Sequence, residues 1–440
     1  MKKVERMTEE SSFISAIPLK TTFRAWLVCV TASLFFFYEF AQIMMFNTIN
    51  PDLMQAFQVT ATATGKISSA YFVANIIFMF PAGVLLDRFS TRKIIIAAMI
   101  LCVIGTLMFS FSTNIYMAML CRFLTGIGGS FPFLCCLRLS SRWFPAKRWA
   151  LVSGLIVTIA FLGGAAGQTP MTFLVNYMGW RHALQLDAFL GVLFTGLITL
   201  IVFDYPPNYQ PIAAKKQPVD IRATVRSALQ NPQNWYYGLY TSMLNLPVML
   251  LGAIWGSLYL MQVFHLSRTQ ASLVTSMIFF GTIFGSPAVG WLSDRMGVRK
   301  LPMIIFGIIS LALMLFIMYS IALSFDTLMT LFFILGFVTS AQIISYPAIS
   351  ESNAHEMTGS ALGLASVLIM IAPAVFQPLF GWLMDLHWNG KMVNQLPIYT
   401  ISDFHNGLLI MPIAFVVGII MVLLAKETYC RIANHLQANK

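Results

Sequence analysis

Twelve apolar stretches of about twenty residues each restrict this chain more than any other feature. They run near 25–47, 67–86, 94–112, 116–138, 149–170, 183–203, 235–262, 270–291, 301–322, 327–349, 359–384 and 405–425. A helix needs about 20 apolar residues to cross a hydrocarbon layer, and in lipid every backbone polar group must be bonded internally. The expected fold is an all-α membrane protein with twelve transmembrane helices. Only 10% of the residues are charged, against about a quarter in soluble chains. Residues 1–23 are polar and basic, and the first apolar run is too long and too aromatic to be the core of a cleavable signal.

The formal charge of +11 raises the question of nucleic acid, and its distribution answers it. With the N-terminus inside, the inner segments hold Lys2, Lys3, Arg6, Lys20 and Arg24, then Arg88, Arg92 and Lys93. Arg138, Arg142, Lys147, Arg148, Lys215, Lys216, Arg222 and Arg226 follow, and Arg295, Arg299, Lys300, Lys426, Arg431 and Lys440 complete the set. Outer loops hold only Lys66, Arg181, Arg268 and Lys391, and Arg122 lies within a helix. This asymmetry is the positive-inside signal and places both termini in the cytoplasm. The basic excess records topology; no nucleic-acid partner is expected.

A charged loop between apolar runs occurs twice. Gly83-Val-Leu-Leu-Asp87-Arg88-Phe-Ser-Thr-Arg92-Lys93 returns as Gly290-Trp-Leu-Ser-Asp294-Arg295-Met-Gly-Val-Arg299-Lys300, at a constant offset of 207 residues. Gln55 and Gln262 share that offset, while Gly154 with Gly363 and Gln168 with Gln377 stand 209 apart. A duplicated membrane unit follows. The expected divisions are an N-terminal tail over 1–23, a six-helix bundle over 24–204, a polar cytoplasmic loop over 205–234, a second bundle over 235–426 and a tail over 427–440. A short surface helix is expected between Asp220 and Gln230.

Asp87 and Asp294 end their helices, where a carboxylate faces the negative end of the macrodipole at a cost of about 0.3–1 kcal/mol. Arg88, Arg92, Arg138 or Arg142 and the start of helix eleven near Thr358 are the candidates to offset it. By symmetry Asp294 would face Arg148, and Glu351 could reach Arg295 or Arg299. Charge clusters joining the halves on the inner side would form when that side is shut and break when it opens. Two copies in register favour such a latch over a merely solvated loop.

The repeated G-x-L-x-D-R-x-x-x-R-K string resembles the signature of the major facilitator superfamily, and Arg122-Phe-Leu-Thr-Gly126-Ile-Gly128 in helix four resembles its R-x-x-x-G motif. Trp143-Phe-Pro145 with Arg148, and Gly179-Trp-Arg181, are similar to its anion-symporter branch. Tyr38-Glu39-Phe40, Asp87-Arg88-Phe89 and Gly167-Gln168 resemble the phagosomal nutrient transporters of intracellular bacteria. The resemblance implies two pseudo-symmetric six-helix bundles in a bacterial inner membrane, with helices one, four, seven and ten around a central cavity, and a latch role for Asp87. Two departures stand out. Ser90 replaces the usual glycine of the first copy, and helix five lacks the Gly-Pro pair typical of drug/proton antiporters.

Two charges lie inside the hydrocarbon. Glu39 falls 11 residues from Asn50, roughly 16 Å from the outer end, and Arg122 falls roughly 12 Å deep, counted from Asn114. A charge at the bilayer centre costs at least about 2.5–3.5 kcal/mol and usually faces a partner or a hydrated cavity. The expectation is that Glu39 carries a coupling proton and Arg122 holds either Glu39 or a substrate carboxylate. A structural pair locking helix one to helix four is the alternative. Tyr38, Gln42, Asn245, Gln342, Gln168 and Gln377 are the polar candidates around them, although interhelical bonding is the commoner role for each amide. Asp187, close to Arg181, reads as a helix-end cap or its salt-bridge partner.

No phosphate-binding loop, metal cluster or catalytic triad occurs, so no cofactor and no enzyme activity are expected. The six cysteines sit in or beside apolar runs without metal-ligand spacing. Trp26, Trp143, Trp180, Trp235 and Trp382 fall near helix ends, as an interfacial belt would. The functional expectation is a monomeric, proton-coupled transporter surrounded by lipid and taking up a small polar solute. An amino acid is the first choice by resemblance, with an organic anion or siderophore as alternative. A non-transporting sensor on the same scaffold is the rival.

Overall fold

The computed structural model describes residues 19–145, 148–207, 221–320, 322–354 and 357–431. The outermost tail residues, the centre of the interbundle loop and the side chain of Asp87 lie outside the described residues. Within the described residues the chain forms twelve spans in two six-helix halves.

In the first half the spans are Leu19–Phe57, Ala61–Arg88, Thr91–Ser110, a broken fourth (Ile115–Gly129 and Pro132–Trp143), a fifth opening with Trp149–Ala166, and a sixth. The break in the fourth lies just before Pro132, whose nitrogen cannot donate to the helical ladder. The fifth continues into the helix Thr169–Ile201, which turns at Gly179 (φ 77°) and becomes the sixth. Only glycine adopts that backbone without strain. A tight corner therefore stands where the apolar runs imply a loop over 171–182.

In the second half the seventh span is Pro232–Leu244, a π-helical segment Val248–Trp255 and Gly256–Val263. The eighth and ninth are Arg268–Met296 and Lys300–Tyr319. The tenth runs Phe325–Thr339, through a 3₁₀ turn Ser340–Ile344, to Ser345–Glu351. Thr358–Asp385 is the eleventh, and Ile401–Leu408 with Ile410–Leu424 make the twelfth. The helix expected in the interbundle loop stands at Ile221–Gln230. A two-stranded hairpin, Met392–Val393 with Leu396–Pro397, lies between the last two spans.

The π segment leaves carbonyls that the regular helical ladder does not satisfy, and in lipid they need other donors. Side-chain amides supply them. Gln377 Nε2 reaches Met249 O at 2.8 Å, Asn50 Nδ2 reaches Ile254 O at 3.1 Å, and Gln168 donates to Gly252 O. Asn50 and Gln168 belong to the first half, so repairing this helix also joins the halves.

We call the face of loops 58–60 and 386–400 the outer face, after the orientation predicted by the basic residues. Among the described residues, the hydrogen bonds between halves gather toward that face. Asn47 Nδ2 donates across to Ser257 Oγ at 2.9 Å as well as to Gln168 Oε1 of its own half at 2.9 Å, and its Oδ1 accepts from Ser257 N at 2.9 Å. Thr169 meets Ser276 at 3.0 Å. Arg268 forms an ion pair with Asp52 and reaches Thr48 O at 3.0 Å. One apolar core includes Phe46, Tyr71, Trp255, Phe279 and Phe380 and runs through both halves, whereas Phe35, Met99 and Leu139 belong to a separate inner core of the first half.

Glycines report the same asymmetry. A Cβ on Gly381 would lie 2.5 Å from the Ala61 backbone, and one on Gly65 would lie 2.7 Å from Pro378 Cα. At the inner ends of the second, fifth, eighth and eleventh spans, a Cβ on Gly83, Gly154, Gly290 or Gly363 would meet nothing within 4 Å. The halves are shut on the outer side and separated on the inner side. Two of the five tryptophans read as belt residues, Trp143 and Trp180, are instead buried; Trp143 donates to Phe203 O at 2.9 Å.

Forcing a side chain into such a contact costs about 1–3 kcal/mol. Gly381→Val is therefore expected to lower the melting temperature of the purified protein, while Gly363→Val on the same helix leaves it unchanged. Equal melting of the two variants would contradict the closed outer contact.

Candidate functional site

The first span carries Glu39 and Gln42 toward the second, fourth and sixth spans, and both are buried, Glu39 at 4% exposure. Tyr71 of the second span donates its hydroxyl to Glu39 Oε1, and Oε2 has no protein partner. Arg122, on the fourth span, is 1% exposed. Its Nη1 donates to Gln42 O at 3.0 Å, and its guanidinium lies 5.0 Å from the Tyr71 ring centroid and 5.4 Å from that of Phe46.

Glu39 and Arg122 therefore occupy one cluster without forming a direct ion pair among the described residues. Tyr71 stands between them: its hydroxyl takes the acid and its ring face takes the cation. The expected direct pair is replaced by this relay. Nε and Nη2 of Arg122 have no partner. Those two nitrogens form one edge of the guanidinium, the edge that grips a carboxylate with two parallel hydrogen bonds.

Asp187 corrects the sequence reading. It neither caps a helix end nor pairs with Arg181. It accepts from Gln42 Nε2, while Thr106 donates to Gln42 Oε1 at 3.0 Å. Arg181 turns away to Ser110 O at 2.8 Å and Ser112 O at 2.7 Å. The nearness of Arg181 in sequence hid an acid whose only advertisement was its place inside an apolar run. Tyr71 carried less signal still, one aromatic among many. Tyr38 packs against Phe194, with ring centroids 6.5 Å apart.

The other amides fall into two groups. Gln342 Nε2 donates to Asn245 Oδ1 at 3.2 Å, linking the broken tenth and seventh spans. Gln168 and Gln377 bond to seventh-span carbonyls, and Gln168 also accepts from Thr275 at 3.0 Å. Among the described residues, none of these four hydrogen-bonds to Glu39 or Arg122. Asn47, which the sequence reading passed over, is the hub of the seal.

Among the described residues, the ion pairs seen at the inner ends lie within one half. Arg142 pairs with Asp204 at 3.4 Å, and Arg92 N donates to Asp204 at 3.0 Å. The side chain of Asp87, which Arg142 is a candidate to offset, lies outside the described residues. Arg299 pairs with Glu351 at 2.7 Å and Asp294 at 2.6 Å, so Asp294 bonds inside its own half and does not face Arg148. Burial alone would push the Arg299 guanidinium down, but its bonds to Glu351 and Asp294 outweigh that and raise it above its ordinary value. Glu427 accepts from Arg299 N at 2.8 Å, as Asp204 does from Arg92 in the first half. Arg88 and Arg295 are exposed, with Arg295 over the Trp291 ring at 5.1 Å. Gly83 and Gly290 stand at these open ends.

The sequence profile of the Major Facilitator Superfamily matches residues 32–259 and 241–429. The chain belongs to that superfamily. At the level of the family, its members are transporters of small molecules and not enzymes. A gallate transporter of Pseudomonas putida is 23% identical over 61% of this chain and just under two thirds, 66%, of its own length. A membrane sensor protein of Salmonella typhimurium is 24% identical, covering 83% of this chain and 86% of the sensor. A bacterial homolog of the human lysosomal transporter Spinster, solved inward-facing, superposes with a TM-score of 0.76 at 16% identity, over 92% of this chain and 96% of that one. That last likeness concerns the fold.

Tyr71→Phe removes the Glu39 bond and leaves the ring beneath Arg122. A hydrogen bond to a charged group is worth about 1.5–3 kcal/mol, so the variant should melt at lower temperature. An unchanged melting curve would show that this bond carries no weight.

Proposed function

We propose that this superfamily member takes up a small carboxylate-bearing solute together with a proton, by alternating access across a bacterial inner membrane with both termini cytoplasmic. Arg122 binds the carboxylate through its Nε and Nη2 edge. Glu39 takes and releases the proton, and Tyr71 couples the two. The observation that carries this reading is the pairing, within one buried cluster, of an open bidentate guanidinium edge with an open carboxylate oxygen. Leaving buried polar groups unbonded costs about 1–3 kcal/mol each, more for charged groups. An arriving carboxylate and proton would relieve both deficits. Amino acids and organic anions share the required group, and a relative named for gallate supports the anion.

The inner ends supply the second component of the cycle. Gly83 with Gly363 and Gly154 with Gly290 would come together when the inner side shuts. Asp87, Arg88, Arg92, Asp294, Arg295, Arg299, Arg142 and Glu351 would then form the inner latch.

Counterflow in proteoliposomes against a panel of amino acids, aromatic acids and sulfonated acids tests the reading. Arg122→Lys is expected to weaken the apparent affinity for the exchanged carboxylate by about tenfold or more, since lysine cannot form the two-pronged contact. Glu39→Gln should keep exchange but lose accumulation driven by a pH gradient. Full coupling in Glu39→Gln would remove the proton role. Absence of exchange with every solute would favour a sensor, the activity named for the Salmonella relative.

A further inference from the structure

The second span begins with a helix end that its own residues do not cap. Thr60 has the extended backbone of an N-cap residue, yet its side chain makes no capping bond. The cap comes from the other half of the molecule. Asp385, the last residue of the eleventh span, accepts from Thr62 N at 2.9 Å and from the Thr62 hydroxyl. The Tyr399 hydroxyl accepts from Ala61 N at 2.9 Å and donates to Asp385 Oδ1 at 2.7 Å. A carboxylate there satisfies open amides and faces the positive end of the helix dipole.

The repeat-related contact is built differently. Thr62 corresponds to Thr269 at the offset of 207, and Asp385 to Asn176 at 209. Asn176 Nδ2 reaches Thr269 Oγ1 at 3.3 Å but brings no charge. The eighth span has its own capping box, made by Ser267 and Gln270. The charged cap across the halves therefore stands where the helix lacks a cap of its own.

The hairpin between the last two spans reinforces this contact. Gln55 and Gln262, a repeat pair, both donate to it: Gln55 to Asn394 O at 2.9 Å and Gln262 to Pro397 O at 3.0 Å. Gln262 also accepts from Tyr399 N at 2.9 Å. One glutamine from each half thus grips the strand pair that carries Tyr399.

We propose that Asp385, braced by Tyr399 and the hairpin, is the latch that holds the outer side shut. It must leave the second span each time that side opens. The inference rests on the alternating-access reading but not on what Arg122 or Glu39 bind. The second span carries Asp87 in its last turn and the eleventh ends in Asp385, so the antiparallel pair carries an acid near the far end of each helix.

The test measures the distance distribution between spin labels at Tyr116→Cys and Ala322→Cys, outer positions of the first and second half, with Cys430→Ser and without added solute. Asp385→Ala is expected to move most of the population to longer distances, while Asn176→Ala leaves it unchanged. Thr60→Asp gives the second span its own cap. Added to Asp385→Ala, it should restore thermal stability without restoring the short distance. An unmoved distribution in Asp385→Ala overturns the proposal, as does recovery of the short distance in the double variant, which would make Asp385 a cap and nothing more. An equal shift in Asn176→Ala would also overturn it. Because no solute is present, such a failure leaves the roles of Arg122 and Glu39 standing.

Discussion

Backbone polar groups inside a bilayer must find partners within the protein, and the rest of this structure follows from how that demand is met at the seventh span. A π-helical turn opens its carbonyls, and amides from the first, fifth and eleventh spans close them. Since two of those amides come from the opposite half, local repair and assembly of the halves are one interaction. It sits on the outer side only, which leaves the inner ends of the second, fifth, eighth and eleventh spans free to separate. An asymmetric seal of this kind favours one of two arrangements and can be exchanged for another at the opposite end.

Within the first half, burial and incomplete bonding work together. Phe46 and Tyr71 flank the Arg122 guanidinium, which is 1% exposed, so its free edge is shut off from bulk solvent. Glu39 is held by one oxygen and open at the other. Such a cluster is expensive to keep for structure alone, because an apolar replacement of the same volume is often as stable. Gln42 extends it toward the sixth span through its side-chain amide, which donates to Asp187. Its open valences are the reason to look for a ligand here and not at the Asn245–Gln342 pair, which already bonds within itself.

Much of the scaffold was legible in the sequence because lipid leaves few choices. Run length gave the spans, and the offset of 207 residues gave the duplication. The Gly179 corner was less visible, since a positive backbone angle leaves no trace beyond a single glycine. The choice of partners was harder to read. The Arg142–Asp204 pair could not be read along the chain, because where the sixth span closes is a tertiary fact. Asp187 was discounted for the same reason: proximity to Arg181 along the chain says nothing about which way two side chains on a helix point. Asn47 and Tyr71 had no charge to mark them, yet one organises the seal and the other the site.

The central claim is that Arg122 receives the solute's carboxylate on the edge it now leaves open. The most direct measurement is a structure of the protein with an exchanged carboxylate bound. The account predicts that carboxylate on Nε and Nη2 of Arg122, beside Glu39 and Tyr71. A solute held instead by the Asn245–Gln342 side, with the Arg122 edge still enclosed and empty, would contradict it.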